Sequence, residues 1–382
     1  MAQWNRVPLI DYIELIGGGT PKTTVPEYWN GNIPWLSVKD FNNDKRYVYS
    51  TEKHISQSGF ENSPTKMLHK DDIIISARGT VGEIAMIPFD MAFNQSCYGI
   101  RASRGIDKPF LYYLLKNCIS QLKRMTHGSV FDTITRDTFA NIEVDIPDAE
   151  TQKRISSVLA DIDNKIEVND AINDNLQQQA ATLFKALFVD HAPFDGTMPP
   201  NWTISTLGDV TEMGAGGDKP KESSPVKTPL CPYPIYSNGI NDYGLYGYTN
   251  EPKIKVESVT VSARGTIGYV CLRHIPYVPI VRLVTLIPDT KVLSAKYLYL
   301  YLRQLHITGT GTTQQQLTVP DFRKTEIVIP DKNTMDAFTE TVTPLFEQIW
   351  ANEDENTKLA EVRDALLPKL MSGEIDVSAV QL

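Results

Sequence analysis

The stretch "DAETQKRISSVLADIDNKIEVNDAINDNLQQQAATLFKALFVDH", residues 148–191, decides the architecture of this 382-residue chain. It contains neither glycine nor proline, and its apolar residues recur at helical spacing. Ile155, Leu159, Ile162, Ile166, Leu176, Ala180, Leu183 and Leu187 step alternately by four and three, interrupted only by Asn169 and Asn173. The pattern predicts a heptad seam along a helix of about 36 residues, some 54 Å long. The seam then recurs: Phe338, Val342, Leu345, Ile349, Asn352, Asn356, Leu359, Leu366 and Leu370 follow at a constant offset of 183, and only Arg363, opposite Ala180, breaks the correspondence. A lone helix with such a stripe would expose too much apolar surface, so each must pack on something, most simply the other copy. A whole domain connects them, which permits an antiparallel pair whose central asparagines meet across a pseudo-twofold axis and fix the register. The competing expectation is that the asparagines are solvated and each helix packs on its own domain.

Outside the helices the chain repeats as well. "SARGTVG" at 76–82 returns as "SARGTIG" at 262–268, 186 residues on. Each globular segment opens with a tryptophan and a short amphipathic stretch, Trp4 before "VPLIDYIEL" and Trp202 before "ISTLGDVTEM". Each runs into a glycine cluster, "GGGTPK" at 17–22 or "GAGGDKPK" at 214–221, and closes on "NIEVDIP" at 141–147 or "TEIVIP" at 325–330. Short β-branched runs such as "DDIIIS" and "SVTVS", set between Gly/Asn/Pro turns, predict mixed α+β domains. The expected order is a first globular domain over 1–150, a first helix over 151–190, a second domain over 191–332, and a second helix with a tail over 333–382.

Composition is that of an ordinary globular protein, 41% hydrophobic, with length for two or three domains. No apolar run reaches the roughly 18 residues of a membrane span, and "MAQWNRVPLIDY" lacks the regions of a signal peptide, so no membrane and a cytoplasmic location are expected. Cys97, Cys118, Cys231 and Cys271 lie far apart with no metal-ligand spacing, which predicts reduced structural thiols. The net charge of −9 is uneven: −2 over 1–150, −3 over 151–195, +3 over 196–330 and −7 over 331–382. The acidity therefore sits largely in the helical segments, which phosphate would repel.

No catalytic signature is found. There is no GxxxxGK[ST] phosphate loop, no HExxH and no GxSxG elbow. "GGGT" at 17–20 leads into Pro21 rather than a helix, which argues against a dinucleotide site, and "MPPNW" at 198–202 has its prolines in the wrong order for an amino-methyltransferase. Asp242, Glu251 and Lys253 have the D-x8-E-x-K spacing of a Mg²⁺-dependent nuclease, in a turn-rich setting where such a site wants a strand. The six histidines form no cluster.

Together, "GGGTPKTTVPEYWNGNIPWLSVKDF" at 17–41, "SARGTVG" with "FNQSCYGI" at 93–100, "YPIYSNGINDYGLYGY" at 233–248 and "LLPKLMSGEIDV" at 366–377 resemble the specificity subunit of type I restriction-modification systems over essentially the whole chain. The resemblance implies an α+β fold of two target recognition domains in tandem, each followed by a long helix, the helices pairing as an antiparallel coiled coil. It implies a non-catalytic subunit that binds a two-part double-stranded DNA target, one half per domain, with the coiled coil setting the gap. It implies two methyltransferase partners carrying S-adenosylmethionine and, in the full complex, motor-nuclease subunits. The rivals are a stand-alone nuclease using Asp242, Glu251 and Lys253, and a scaffold that binds only protein through its coiled coil.

Under that resemblance, DNA contacts should come from long polar or basic side chains on loops. The glycine clusters offer backbone N–H groups beside Thr20 and Lys22, and beside Lys219 and Lys221. Arg78 with Thr80, and Arg264 with Thr266, sit in expected strand-to-strand turns; because the phrase is shared, these arginines should hold the turn or contact phosphate rather than specify sequence. Asn94 and Gln95 complete the candidates of the first domain together with Ser37 and Lys39, while Trp35 is expected to pack. Near each domain's end, His127 and Ser129 match Gln314, Gln315 and Gln316 in position, and glutamine suits adenine. Tyr236, Ser237 and Asn238 sit at an expected turn, as contacts or as turn residues.

Overall fold

The computed structural model describes residues 4–126, 133–309 and 316–378. Two compact units emerge, Met1–Ala171 with Glu353–Leu382, and Ile172–Asn352. The long helices are Ala149–Phe188 and Lys332–Met371, 40 residues each. Each is capped by an aspartate. Asp148 accepts from Thr151 N and Oγ1 at 3.0 Å, and Asp331 accepts from Thr334 N at 3.2 Å and Oγ1 at 2.7 Å. Those hydrogen bonds hold both carboxyls below the usual range. The second helix runs through Pro344, whose exposed position leaves water to satisfy the carbonyl that loses its donor.

Within each unit the helices run antiparallel. In the first, Asn169 Nδ2 donates to Asn356 Oδ1 and to Glu355 Oε2, both at 2.8 Å, and Asp163 faces Arg363. In the second, Asn352 Nδ2 donates to Asn173 Oδ1 at 2.7 Å. The asparagines thus pair with each other rather than with solvent. None of the seam residues Ile155, Leu159, Ile162, Ile166, Leu176, Phe338, Val342, Leu345, Ile349 and Leu359 is exposed.

Toward the helix ends the buried face drifts by one residue. Ala180, Phe184 and Phe188 are buried where Leu183 and Leu187 are only half-buried, and Leu367 replaces Leu366. A helix of 3.6 residues per turn leaves a 3.5-residue seam, and here it turns onto its globular neighbour. Phe188 packs on Tyr297 and Trp202, with ring centroids 4.9 and 5.6 Å apart. Arg363, the break in the repeat, is buried and ion-paired to Asp163 at 2.9 Å and Asp44 at 3.0 Å, while Tyr113 donates to Asp163 at 2.6 Å. Arg46 adds Glu167 at 3.1 Å, so charged pairs fix the first domain to both helices of its unit.

The globular parts of both units follow one plan. A strand at the tryptophan pairs antiparallel with the strand that precedes the long helix, Trp4–Pro8 with Glu143–Pro147 and Thr203–Thr206 with Glu326–Ile329. A four-stranded antiparallel sheet follows, Ile13–Gly17, Cys97–Ala102, Ile73–Ser76 and Ile84–Met86 in spatial order. Its counterpart is Thr211–Ala215, Val284–Pro288, Ser258–Val261 and Val270–Arg273. Helix Lys108–Thr126 or Ala295–Gln304 covers one face. A second, mixed sheet lies beyond, Lys53–Ile55, Trp29–Leu36, Met91–Phe93 and Met67–Leu68, or Ser223–Ser224, Leu245–Thr249, Tyr233–Tyr236 and Val278–Pro279.

Alternation along the central strand explains the triple isoleucine. Ile73 and Ile75 enter the core under the helix, while Ile74 enters a separate core with Ile87, Phe93 and Leu36. In the second domain Val259 and Val261 keep the helix-side core. On the other side Thr260 stands where Ile74 does, and its Oγ1 accepts from buried Arg273 at 3.0 Å, which stands where Ile87 does. The helix-side layer is shared, and the far layer is rebuilt.

Candidate nucleic-acid interface

In the first domain four loops are joined at one end of the sheets. Gly19 N donates to Phe93 O at 3.0 Å, Trp35 Nε1 to Gly19 O at 3.1 Å, and Asn94 N to Leu36 O at 3.0 Å. Ala77 N and Arg78 N both donate to Ser96 O, at 2.8 and 3.2 Å. Thr20, Ser37, Arg78, Asn94 and Gln95 are thereby gathered, with Thr20 Oγ1 bonded to Gln95 Oε1. Lys22, Lys39, Arg78, Thr80 and Gln95 are exposed. Trp35 is buried edge-on against Trp29 at 5.2 Å, as expected of a packing residue.

The repeated phrase is the turn between Ile73–Ser76 and Ile84–Met86. Ser76 Oγ donates to Thr80 O at 2.5 Å and accepts from Glu83 N at 2.8 Å, and Gly79 has φ +79°. The second copy is clamped alike: Ser262 Oγ donates to Thr266 O and accepts from Tyr269 N at 3.0 Å, with Gly265 at φ +68°. Serine and left-handed glycine build the turn, which leaves Arg78 and Arg264 projecting. Arg264 Nη2 donates to Gln316 Oε1 at 3.1 Å. Each turn also holds the end-of-domain segment, Ile134 N to Ala77 O and Leu317 N to Ala263 O, both at 3.1 Å. His127, Ser129, Gln314 and Gln315 lie outside the described residues.

In the second domain, Lys219 and Arg264 border an open pocket of about 510 Å³ together with Gly216, Gly217, Val281 and Arg282. Lys219 Nζ lies 5.1 Å from the Tyr246 ring centroid, and Lys221 is exposed. Asn238 is engaged at both ends of its amide, donating to Val281 O at 2.6 Å and accepting from Ala263 N at 2.7 Å, so it staples two loops together. Tyr236 is half-buried beneath the Arg273 guanidinium, 3.6 Å from its ring centroid, and burial pushes its hydroxyl pKa up. Ser237 N donates to Gly244 O at 2.8 Å. Of this turn, Asn238 and Tyr236 do structural work.

The glycine clusters differ from expectation. Gly19 N and Gly216 N are spent on protein carbonyls, Phe93 O and Leu283 O. A Cβ on Gly18 would lie 2.1 Å from Asn94 O, and one on Gly216 would lie 2.8 Å from the Ile280 backbone. These glycines allow close packing of one loop on another rather than a cradle of free N–H groups. Asp242 and Glu251 are both exposed and lie beyond opposite ends of strand Leu245–Thr249, whose five residues span about 13 Å. They share no metal site, and among the described residues no group of His, Cys, Asp and Glu could hold one. Among the described residues no helix is long and apolar enough to cross a membrane. Cys97 and Cys118 are free and buried, their thiols pushed up to about 12 and about 11 mainly by burial, which keeps them protonated and inert. Arg273 and Arg282 were not foreseen; the signal for both is that they differ from their first-domain counterparts Ile87 and Ser96.

The model of the type I restriction modification DNA specificity domain matches twice, over residues 1–178 and 199–361. The type I restriction enzyme MjaIX specificity subunit of Methanocaldococcus jannaschii is 28% identical, over 98% of this chain and 94% of its own. The HindI specificity subunit of Haemophilus influenzae is 26% identical, over 70% and 77%. The crystal structure of the type I restriction-modification S subunit from M. genitalium has the same fold, with a TM-score of 0.57 at 16% identity over 97% of this chain and 96% of that one.

Proposed function

Since the chain belongs to the type I restriction-modification DNA specificity family, we propose that it is the non-catalytic subunit that reads a two-part double-stranded DNA target. Each domain takes one half-site, and the paired helices set the gap and dock two methyltransferase subunits. Those partners bring the S-adenosylmethionine, and motor-nuclease subunits join the full complex. The observation that carries this reading is the division inside each domain. Helix-side core, clamped turn and capped helix are repeated, while the layer and loops at the far end differ, as Ile74 and Ile87 differ from Thr260 and Arg273. Two frames of one design carrying unlike loops suit two unlike half-sites, because base edges are read by side chains.

The acidity of the helical segments fits protein docking better than phosphate contact. The test is adenine methylation by the chain mixed with its methyltransferase partners on duplexes carrying both half-sites, either one, or neither. Methylation should require both. Equal methylation of all four duplexes would sink the proposal, and Mg²⁺-dependent cleavage by the isolated chain that is lost in Glu251→Ala would favour the nuclease instead.

A further inference from the structure

In the second domain the segment after strand Val278–Pro279 takes a backbone that side chains rarely adopt. Val281 and Arg282 have φ of +53° and +65° in succession. For a β-branched valine this is a steric outlier, which persists only where its surroundings over-determine it. Four hydrogen bonds do so: Val281 N to Gly217 O at 2.9 Å, Arg282 N to Gly216 O at 3.0 Å, Leu283 N to Ile280 O at 3.0 Å, and Asn238 Nδ2 to Val281 O at 2.6 Å. Two of the acceptors belong to the glycine cluster, and the Asn238 staple ties the same segment to the SARGT turn.

On this mount Arg282 is exposed at the open pocket. The other two cations there are engaged, Arg264 with Gln316 and Lys219 with Tyr246, and the exposed Asp218 borders the same pocket. The Arg282 guanidinium has no hydrogen bond, ion pair or ring contact among the described residues. Building on the reading of this chain as a DNA-recognition subunit, we propose that Arg282 specifies a guanine in the half-site taken by the second domain.

Three arguments select a base over a phosphate. The turn arginine is common to both domains and cannot tell their targets apart, whereas position 282 is arginine where the first domain has Ser96, 186 residues earlier. Val281 likewise stands where Gln95 does, so the segment as a whole has diverged. A fixed mount is also what base reading needs, since a bidentate fork must meet O6 and N7 of guanine in register, while a phosphate accepts a cation from many directions. Lastly, a guanidinium whose donors are uncommitted among the described residues can present both parallel N–H groups that guanine requires.

The experiment uses the assembled methyltransferase complex on a duplex library randomised across both half-sites, read by which members are methylated. Arg282→Asn keeps a residue that tolerates positive φ and removes the fork, and Arg282→Lys keeps the charge and removes the fork. Both should relax the requirement for guanine at one position of one half-site by roughly tenfold to a hundredfold, with the other half-site unchanged. A uniform loss over all sequences in Arg282→Asn, with wild-type preference retained in Arg282→Lys, would assign the residue to phosphate and overturn the proposal. So would unaltered preference in both variants. A wild-type complex with no half-site preference would instead overturn the reading on which the proposal rests.

Discussion

Arg78 and Arg264 hold the same place in the same seven-residue turn, and serine with left-handed glycine builds that turn without them. If the two domains read different sequences, as proposed, the retention of these arginines in both suits the feature every duplex shares, its phosphates. Arg78→Ala should weaken binding to all targets alike and lower the slope of log K against log salt by about one. Titration at several salt concentrations with two unrelated duplexes checks this, and a changed sequence preference would contradict it. The turn was legible in the sequence because the phrase recurs whole. The sequence leaves Asn238 open between contact and turn, and shows the glycine clusters only as runs of N–H groups, because their work lies in contacts between loops distant in the chain. Only coordinates show that Gly18 faces Asn94 O, or that one amide spans Val281 and Ala263.

Among the elements, the long helices were the most legible, since forty residues of repeated spacing admit few other readings. The asparagine pairing followed from symmetry alone. What periodicity missed was the turn of the buried face at the outer ends, where Phe184 and Phe188 pack on Tyr297 of the globular domain as well as on Phe338 of the partner seam. The neighbour that decides this is remote in sequence. The central pair invites a double-mutant cycle. Asn173→Leu alone strands the Asn352 amide in a buried seam and should cost about 1–3 kcal/mol, while Asn173→Leu with Asn352→Leu should recover most of that loss. Urea denaturation measures both. Additive losses would mean that the asparagines do not act as a pair.

On the scale of the molecule, the frame is repeated and the far layer is rebuilt, and under the proposed function these would serve two tasks, holding and reading. A heptad inserted at matching places in both helices, adding about 10.5 Å, should widen the recognised gap by about three base pairs. Methylation mapping with graded spacers would show it, and an unchanged gap would end the ruler role. Fold class was open to sequence reasoning because the duplication doubled every signal. The bases read were closed to it, because under the proposed function the deciding side chains would be those at which the copies cease to agree.

The division into units bears on how the chain is made. The second unit is a continuous run, Ile172–Asn352, but the first is completed only by Glu353–Leu382, whose Leu367, Leu370, Met371 and Val377 lie in the same core as Ile73 and Phe110. During synthesis at about 5–20 residues per second, the domain begun before its neighbour waits roughly 10–40 s for the residues that close it, by when its neighbour is already whole. A segment made after the whole second unit thus completes a core begun before it.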